Sequence, residues 1–193
     1  MVVEEEPLRT LGACLCALLL ALLPAVTCGQ GYRALGACRA GVPNGAYELR
    51  DADGRLRVVG AFAQGRLTGT FIFWTAAGAR VAVLPFDNNA KNGTVALWYV
   101  TPDAPLEAGR RLEAPYVDDR PHGVWRAWHS GGAMRAEYRY EHGVLVDARG
   151  WTDGGEALSE AAARGQAAGD AEADEQLFAA LLGLVAANRP ACD

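Results

Sequence analysis

Gly45, Gly69 and Gly93 stand 24 residues apart, and Gly123 follows Gly93 by 30, the same period with six residues inserted. A second glycine lies nine residues after the first at Gly54, Gly78 and Gly132. In the third unit Gly109 takes that place, delayed by an insertion around Thr101-Pro102-Asp103-Ala104-Pro105. Eleven residues beyond the second anchors come Gly65, Asn89 and Gly143. A period of this length marks a repeat architecture, in which each supersecondary unit stacks on the next because it cannot bury its apolar face alone.

The apolar residues keep the same register. Tyr47 and Leu49, Phe71 and Phe73, Val95 and Leu97, and Trp125 and Ala127 fall two and four residues after successive first glycines. Phe62, Phe86 and Tyr140 fall seventeen after, as does Tyr116 once the insertion is counted. Positions two apart share one face of a strand. Asp51-Ala52-Asp53-Gly54 and Ala76-Ala77-Gly78 are turn signals, and Gln64-Gly65 and Asn88-Asn89 turn the chain into the next unit. Glycine recurs too often for helix. The expectation is a mainly β chain: one antiparallel β-hairpin meander over residues 43–156, in four units and a partial fifth. There Trp151-Thr152-Asp153-Gly154-Gly155 echoes Trp128-His129-Ser130-Gly131-Gly132.

The stretches Gly45-Ala-Tyr47…Asp53-Gly54-Arg-Leu56…Gly60-Ala-Phe62-Ala-Gln-Gly65 and Pro121-His-Gly123-Val-Trp125-Arg-Ala-Trp128…Tyr138-Arg-Tyr140-Glu-His-Gly143 resemble the variant MORN repeat. That variant is found in proteins of the YwqK antitoxin family and in bacterial lipoproteins. The resemblance implies a single sheet of hairpins serving as a protein-interaction scaffold, with an antitoxin-like pairing to a neighbouring toxin as a special case. The insertion and the degenerate last unit depart from the pattern.

Both ends differ in character from the repeats. Residues 11–27, LGACLCALLLALLPAVT, carry no charge and fit the apolar region of a secretory leader, although Glu4, Glu5 and Glu6 precede them. An uncleaved anchor is the alternative. Ala25-Val26-Thr27-Cys28 resembles the lipobox of bacterial lipoproteins, with Cys28 as the lipidated residue; Ala25-x-Thr27 reads equally as an ordinary cleavage site. Residues 28–42 then form a linker. Of five cysteines, Cys14 and Cys16 lie in the leader; with Cys28 lipidated, Cys38 and Cys192 remain to pair in an oxidising compartment. Residues 157–173 read as a weak helix or an Ala-rich linker. Residues 172–188 carry Leu177, Phe178, Leu181, Leu182, Leu184 and Val185 at helical spacing, with Asp170 and Asp174 suiting a start and Asn188-Arg189-Pro190 a stop. The expectation for 157–193 is a linker and a helix that caps the sheet.

Chemistry is sparsely signalled. His122, His129 and His142 stand at or beside turns, with no spacing for zinc. Asp118, Asp119 and His122 read as a solvated turn. Ser130 beside His129 lacks the rest of a nucleophile elbow. No phosphate-binding glycine loop is present, so neither a catalytic residue nor a cofactor or metal is expected. A net charge of -5 gives no support to nucleic-acid binding. The remaining binding feature is a row of Trp74, Trp98 and Trp128, five residues after successive first glycines, suited to a glycan or a protein surface. The reading is an exported, lipid-anchored, non-catalytic scaffold of a bacterial envelope, with an unidentified protein partner. An envelope module that binds glycan or peptidoglycan is the alternative.

Overall fold

The computed structural model describes residues 31–100 and 109–192. The leader and Cys28, and the insertion at Thr101–Pro105, lie outside the described residues.

Among the described residues twelve antiparallel strands form one sheet. They are β1 (Arg33–Arg39), β2 (Val42–Arg50), β3 (Leu56–Ala63), β4 (Arg66–Trp74), β5 (Arg80–Asp87), β6 (Ala90–Lys91), β7 (Gly93–Trp98), β8 (Arg110–Val117), β9 (Arg120–Pro121), β10 (Gly123–Trp128), β11 (Met134–Glu141) and β12 (Val144–Gly150). The order is sequential, β1-β2-β3-β4-β5-β7-β8-β10-β11-β12, with β6 and β9 as short pairings on β5 and β8. This is the β-hairpin meander that the glycine period predicts.

Each end of the sheet has its own turn. At one end Ala40-Gly41, Gln64-Gly65, Asn88-Asn89, Asp118-Asp119 and His142-Gly143 have positive φ at both residues. That is the mirror-image two-residue turn whose twist matches a hairpin. These turns are laced together: Gly65 N–H donates to Pro43 O, Asn89 to Leu67 O, Asp119 to Lys91 O and Gly143 to Pro121 O. At the other end three-residue loops close on Gly54, Gly78 and Gly132, with Thr75, for example, accepting from Gly78 N–H and donating to Ala79 O.

One face of the sheet is the core. Leu49, Val58, Phe73, Ala82, Leu97, Leu112, Ala127 and Ala136 lie opposite one another across successive strands, and all are buried. A second row holds the aromatic residues. Gly60 sits opposite Tyr47, where a Cβ would lie 2.4 Å from the Phe71 ring. The missing side chain lets that ring lie across β3.

α1 (Glu160–Ala187) crosses this face from β12 to β1. Its 28 residues extend about 42 Å, and the nine steps between ten consecutive strands span about 43 Å. Leu158 and Gln166 meet Gly150 of β12, Phe178 packs on Tyr116 of β8, the Tyr47 hydroxyl of β2 donates to Asn188 O, and Pro190 covers Gly36 of β1. Cys192 then joins Cys38 of β1 in a disulfide, with Cα atoms 5.7 Å apart.

Two boundaries differ from the sequence expectation. The segment read as a linker, 28–42, contains β1, which matches β3 at a shift of 24 and is the second strand of an incomplete first unit. α1 begins at Glu160, capped by the Ser159 side chain accepting from Ala162 N–H, so the Ala-rich stretch is helix. Ala163 and Ala167 are buried there because small side chains let the helix approach β12 closely. Asp170 and Asp174 therefore lie in the middle of the helix and not at its start.

Candidate functional site

A strand register brings the same repeat position to the same height in every unit, so function is best sought row by row. Twelve residues after the first glycines, with the insertion counted, stand Arg57, Val81, Arg111 and Arg135. Each is the extra residue of a β-bulge, between Leu49/Arg50, Phe73/Trp74, Leu97/Trp98 and Ala127/Trp128 on the partner strand. A bulge breaks the alternation of faces. Val81 consequently packs against the core, and Arg111 and Arg135 reach α1.

Arg135 holds both carboxylate oxygens of Asp170, at 3.1 and 2.8 Å, and Tyr138 donates its hydroxyl to the same group at 2.7 Å. Arg111 donates to Asp174, which is only 2% exposed. Burial pushes the Asp174 carboxyl above its ordinary range, and the Arg111 charge offsets only part of that. Burial works against the charge on Arg135, and its hydrogen bonds to Asp170 together with that carboxylate's charge more than restore it. Desolvation raises the Tyr47, Tyr116 and Tyr138 hydroxyls well above the usual phenol value and pushes Tyr140 up to about 12. Lys91 is buried between the rings of Tyr116 and Phe178 and pairs with Asp119 and Glu175, each at 3.4 Å. These groups fasten the helix to the sheet.

Among the described residues the opposite face has no helix over it. One register row there runs Glu48, Val59, Ile72, Val83, Ala96, Glu113, Arg126, Glu137 and Arg149. Its two halves differ. Glu113, Arg126, Glu137 and Arg149 alternate in sign, and Arg126 and Arg149 both approach Glu137, at 3.5 and 3.9 Å. Val59, Ile72 and Val83, all half-buried, form an apolar band beside them, with buried Ala96 at its end. Sequence reasoning missed this row, although its residues up to Glu137 recur three and fourteen positions after the first glycines once the insertion is counted.

The tryptophans flank that band unequally. Trp98 is buried, with the Arg80 guanidinium 4.0 Å from its ring centroid and Arg110 at 5.3 Å. Trp74 is half-buried and borders a shallow open cleft with Arg55, Leu56 and Gly78. Trp128 is half-buried, opposite Met134. The three do not form one continuous exposed aromatic surface.

The repeat anchors Gly45, Gly54, Gly69, Gly78, Gly93, Gly123, Gly132 and Gly143 all have positive φ. His122 and His142 stand one above the other with ring centroids 4.8 Å apart, and His142 N–H donates to His122 Nδ1 at 3.3 Å. This repeats the bond from Gln64 N–H to Asn44 Oδ1 three units earlier. His129 Nε2 lies 3.0 Å from Trp151 O, holding the last loop. Asp118 accepts from Asn92 Nδ2 and Asp119 from Lys91 N–H. Among the described residues no three His, Cys, Asp or Glu side chains group as metal ligands, and no helix is long and apolar enough to cross a membrane.

Comparison with protein-family models gives no match for this chain, and comparison with curated proteins gives none.

Proposed function

We propose that this chain is a non-catalytic repeat scaffold of the cell envelope, exported and held at the membrane by lipid on Cys28, whose helix-free sheet face docks a protein partner. The observation that carries the reading is the asymmetry of the two faces. Among the described residues α1 seals one, while the other keeps the half-buried band of Val59, Ile72 and Val83 next to a self-paired strip of charges. A contiguous apolar band with a polar border is the anatomy of a docking surface. The resemblance to variant MORN repeats and the apolar leader ending at Cys28 support scaffold and anchor respectively.

Two measurements test it. Labelled palmitate enters the native protein and not Cys28→Ser, which is released from the membrane; unchanged location and no label remove the anchor. Ile72→Glu with Val83→Glu leaves the circular dichroism spectrum intact and abolishes crosslinking of the protein to its neighbour in native membranes. Crosslinking at the native level removes the face.

A second reading, glycan binding, is favoured by the open cleft beside Trp74. Peptidoglycan or envelope polysaccharide quenches Trp74 fluorescence if it holds. Retention on those polymers unaffected by Trp74→Ala disposes of it.

A further inference from the structure

We propose that the free edge of β1 is a second docking site, which takes an acidic, extended peptide segment as an added antiparallel strand. It stands independently of the face described above.

The repeat phase says what kind of strand fits there. Gly36 and Ala37 of β1 match Gly60 and Ala61 of β3, and the turn Ala40-Gly41 matches Gln64-Gly65. β3 is paired on both sides, by β2 and β4, whereas β1 is paired to β2 alone among the described residues. The place beside β1 is the place of β2 beside β3, so an added strand runs antiparallel to β1. Six of the seven β1 residues are exposed, Leu35 among them. Strand addition at such an edge draws its affinity from main-chain hydrogen bonds and its selectivity from side chains.

Charge gives the occupant. β1 reads RALGACR, with two arginines and no acid. Arg33 and Arg39 have no ion pair or hydrogen bond to another described side chain, unlike Arg50, Arg57, Arg111 and Arg135. A second copy is a poor match. Antiparallel pairing of β1 with β1 of another molecule brings Arg33 opposite Arg39, and like charges directly opposite are destabilising. The other end of the sheet is already capped: Leu158 N–H donates to Gly150 O, and Arg164 donates to Val146 O of β12. An acidic strand from a different chain satisfies both the backbone and the two arginines.

The test uses the full chain and two fluorescein-labelled ten-residue peptides, one alternating valine and threonine with glutamate, the other with lysine in place of glutamate. Fluorescence anisotropy is expected to show the acidic peptide binding about tenfold tighter, as two exposed charge pairs allow. Arg33→Glu with Arg39→Glu is expected to reverse the preference, a gain that misfolding cannot mimic. Hydrogen exchange of the complex is expected to slow at Arg33–Arg39. N-methylation of alternate peptide residues is expected to abolish binding. Equal affinity for both peptides overturns the proposal, as does protection elsewhere on the sheet. Outward amides of β1, those not bonded to β2, that are already slow in the free protein also overturn it, since the chain's own upstream residues or a second copy then hold the edge.

Discussion

The guanidinium of Arg111 on β8 reaches the carboxylate of Asp174 on the underside of α1. Arg135, one 24-residue period later, does the same for Asp170, one helical turn earlier. A repeat of the sheet is thereby read by the spacing of a helix that is not part of the repeat.

Removing one partner of the buried pair is expected to cost far more than removing both. Arg111→Met leaves Asp174 charged and buried, and a loss of about 3 kcal/mol follows in urea unfolding. Adding Asp174→Leu recovers most of it. If the double variant is no more stable than the single, the pair is not what Arg111 provides.

Asp174 also sets a pH dependence. Its folded pKa is raised from 3.8, chiefly by burial. A raised acid pKa means the folded state binds the proton more tightly, so stabilisation by the protonated form is full below 3.8 and is lost as pH rises through the folded value. The stability of the native chain relative to Asp174→Asn therefore falls across that window, measured by urea unfolding at stepped pH. A difference that is flat or rises contradicts the burial argument.

The Cys38–Cys192 disulfide closes a loop of 154 residues. Its reduction is expected to lower stability by roughly 4 to 5 kcal/mol in the chain-entropy account. Thermal unfolding with and without reductant measures this, and hydrogen exchange in the reduced protein is expected to rise first at residues 188–192. A reduced protein with the same midpoint would show that α1 is held by its packing and polar contacts without the disulfide.

Gly60→Ala places a methyl group within 2.6 Å of three Phe71 ring atoms. The ring must shift within a packed row, at a cost of about 2 kcal/mol by thermal unfolding. Gly54→Ala strains only a positive φ in an open loop, and about 1 kcal/mol is expected. Reversed sizes would mean that Phe71 has room to move.

Legibility tracked locality. The hairpins were readable because turn glycines and alternating apolar residues interact over a few residues; Tyr47, Phe71 and Trp125 are buried where their spacing puts them. The first half of α1 was not readable. Its sheet-facing stripe is buried Ala163, Ala167 and Asp174 with half-buried Asp170, small and acidic residues that look like a solvated face until the sheet arginines are opposite them. β1 was missed because Arg33–Arg39 is mostly exposed and lacks the aromatic that marks the other second strands.

By itself the sequence determined the repeat: strand length, turn type, direction and the face that each aromatic takes, all of which follow from φ preferences and side-chain alternation within 24 residues. Only the tertiary structure decided which face stays open. That depended on a helix as long as the sheet is wide, on bulges that turn Arg111 and Arg135 toward it, and on a disulfide joining residues 154 positions apart. Those are contacts between distant segments, and they arise from matching lengths and charges that no local pattern encodes.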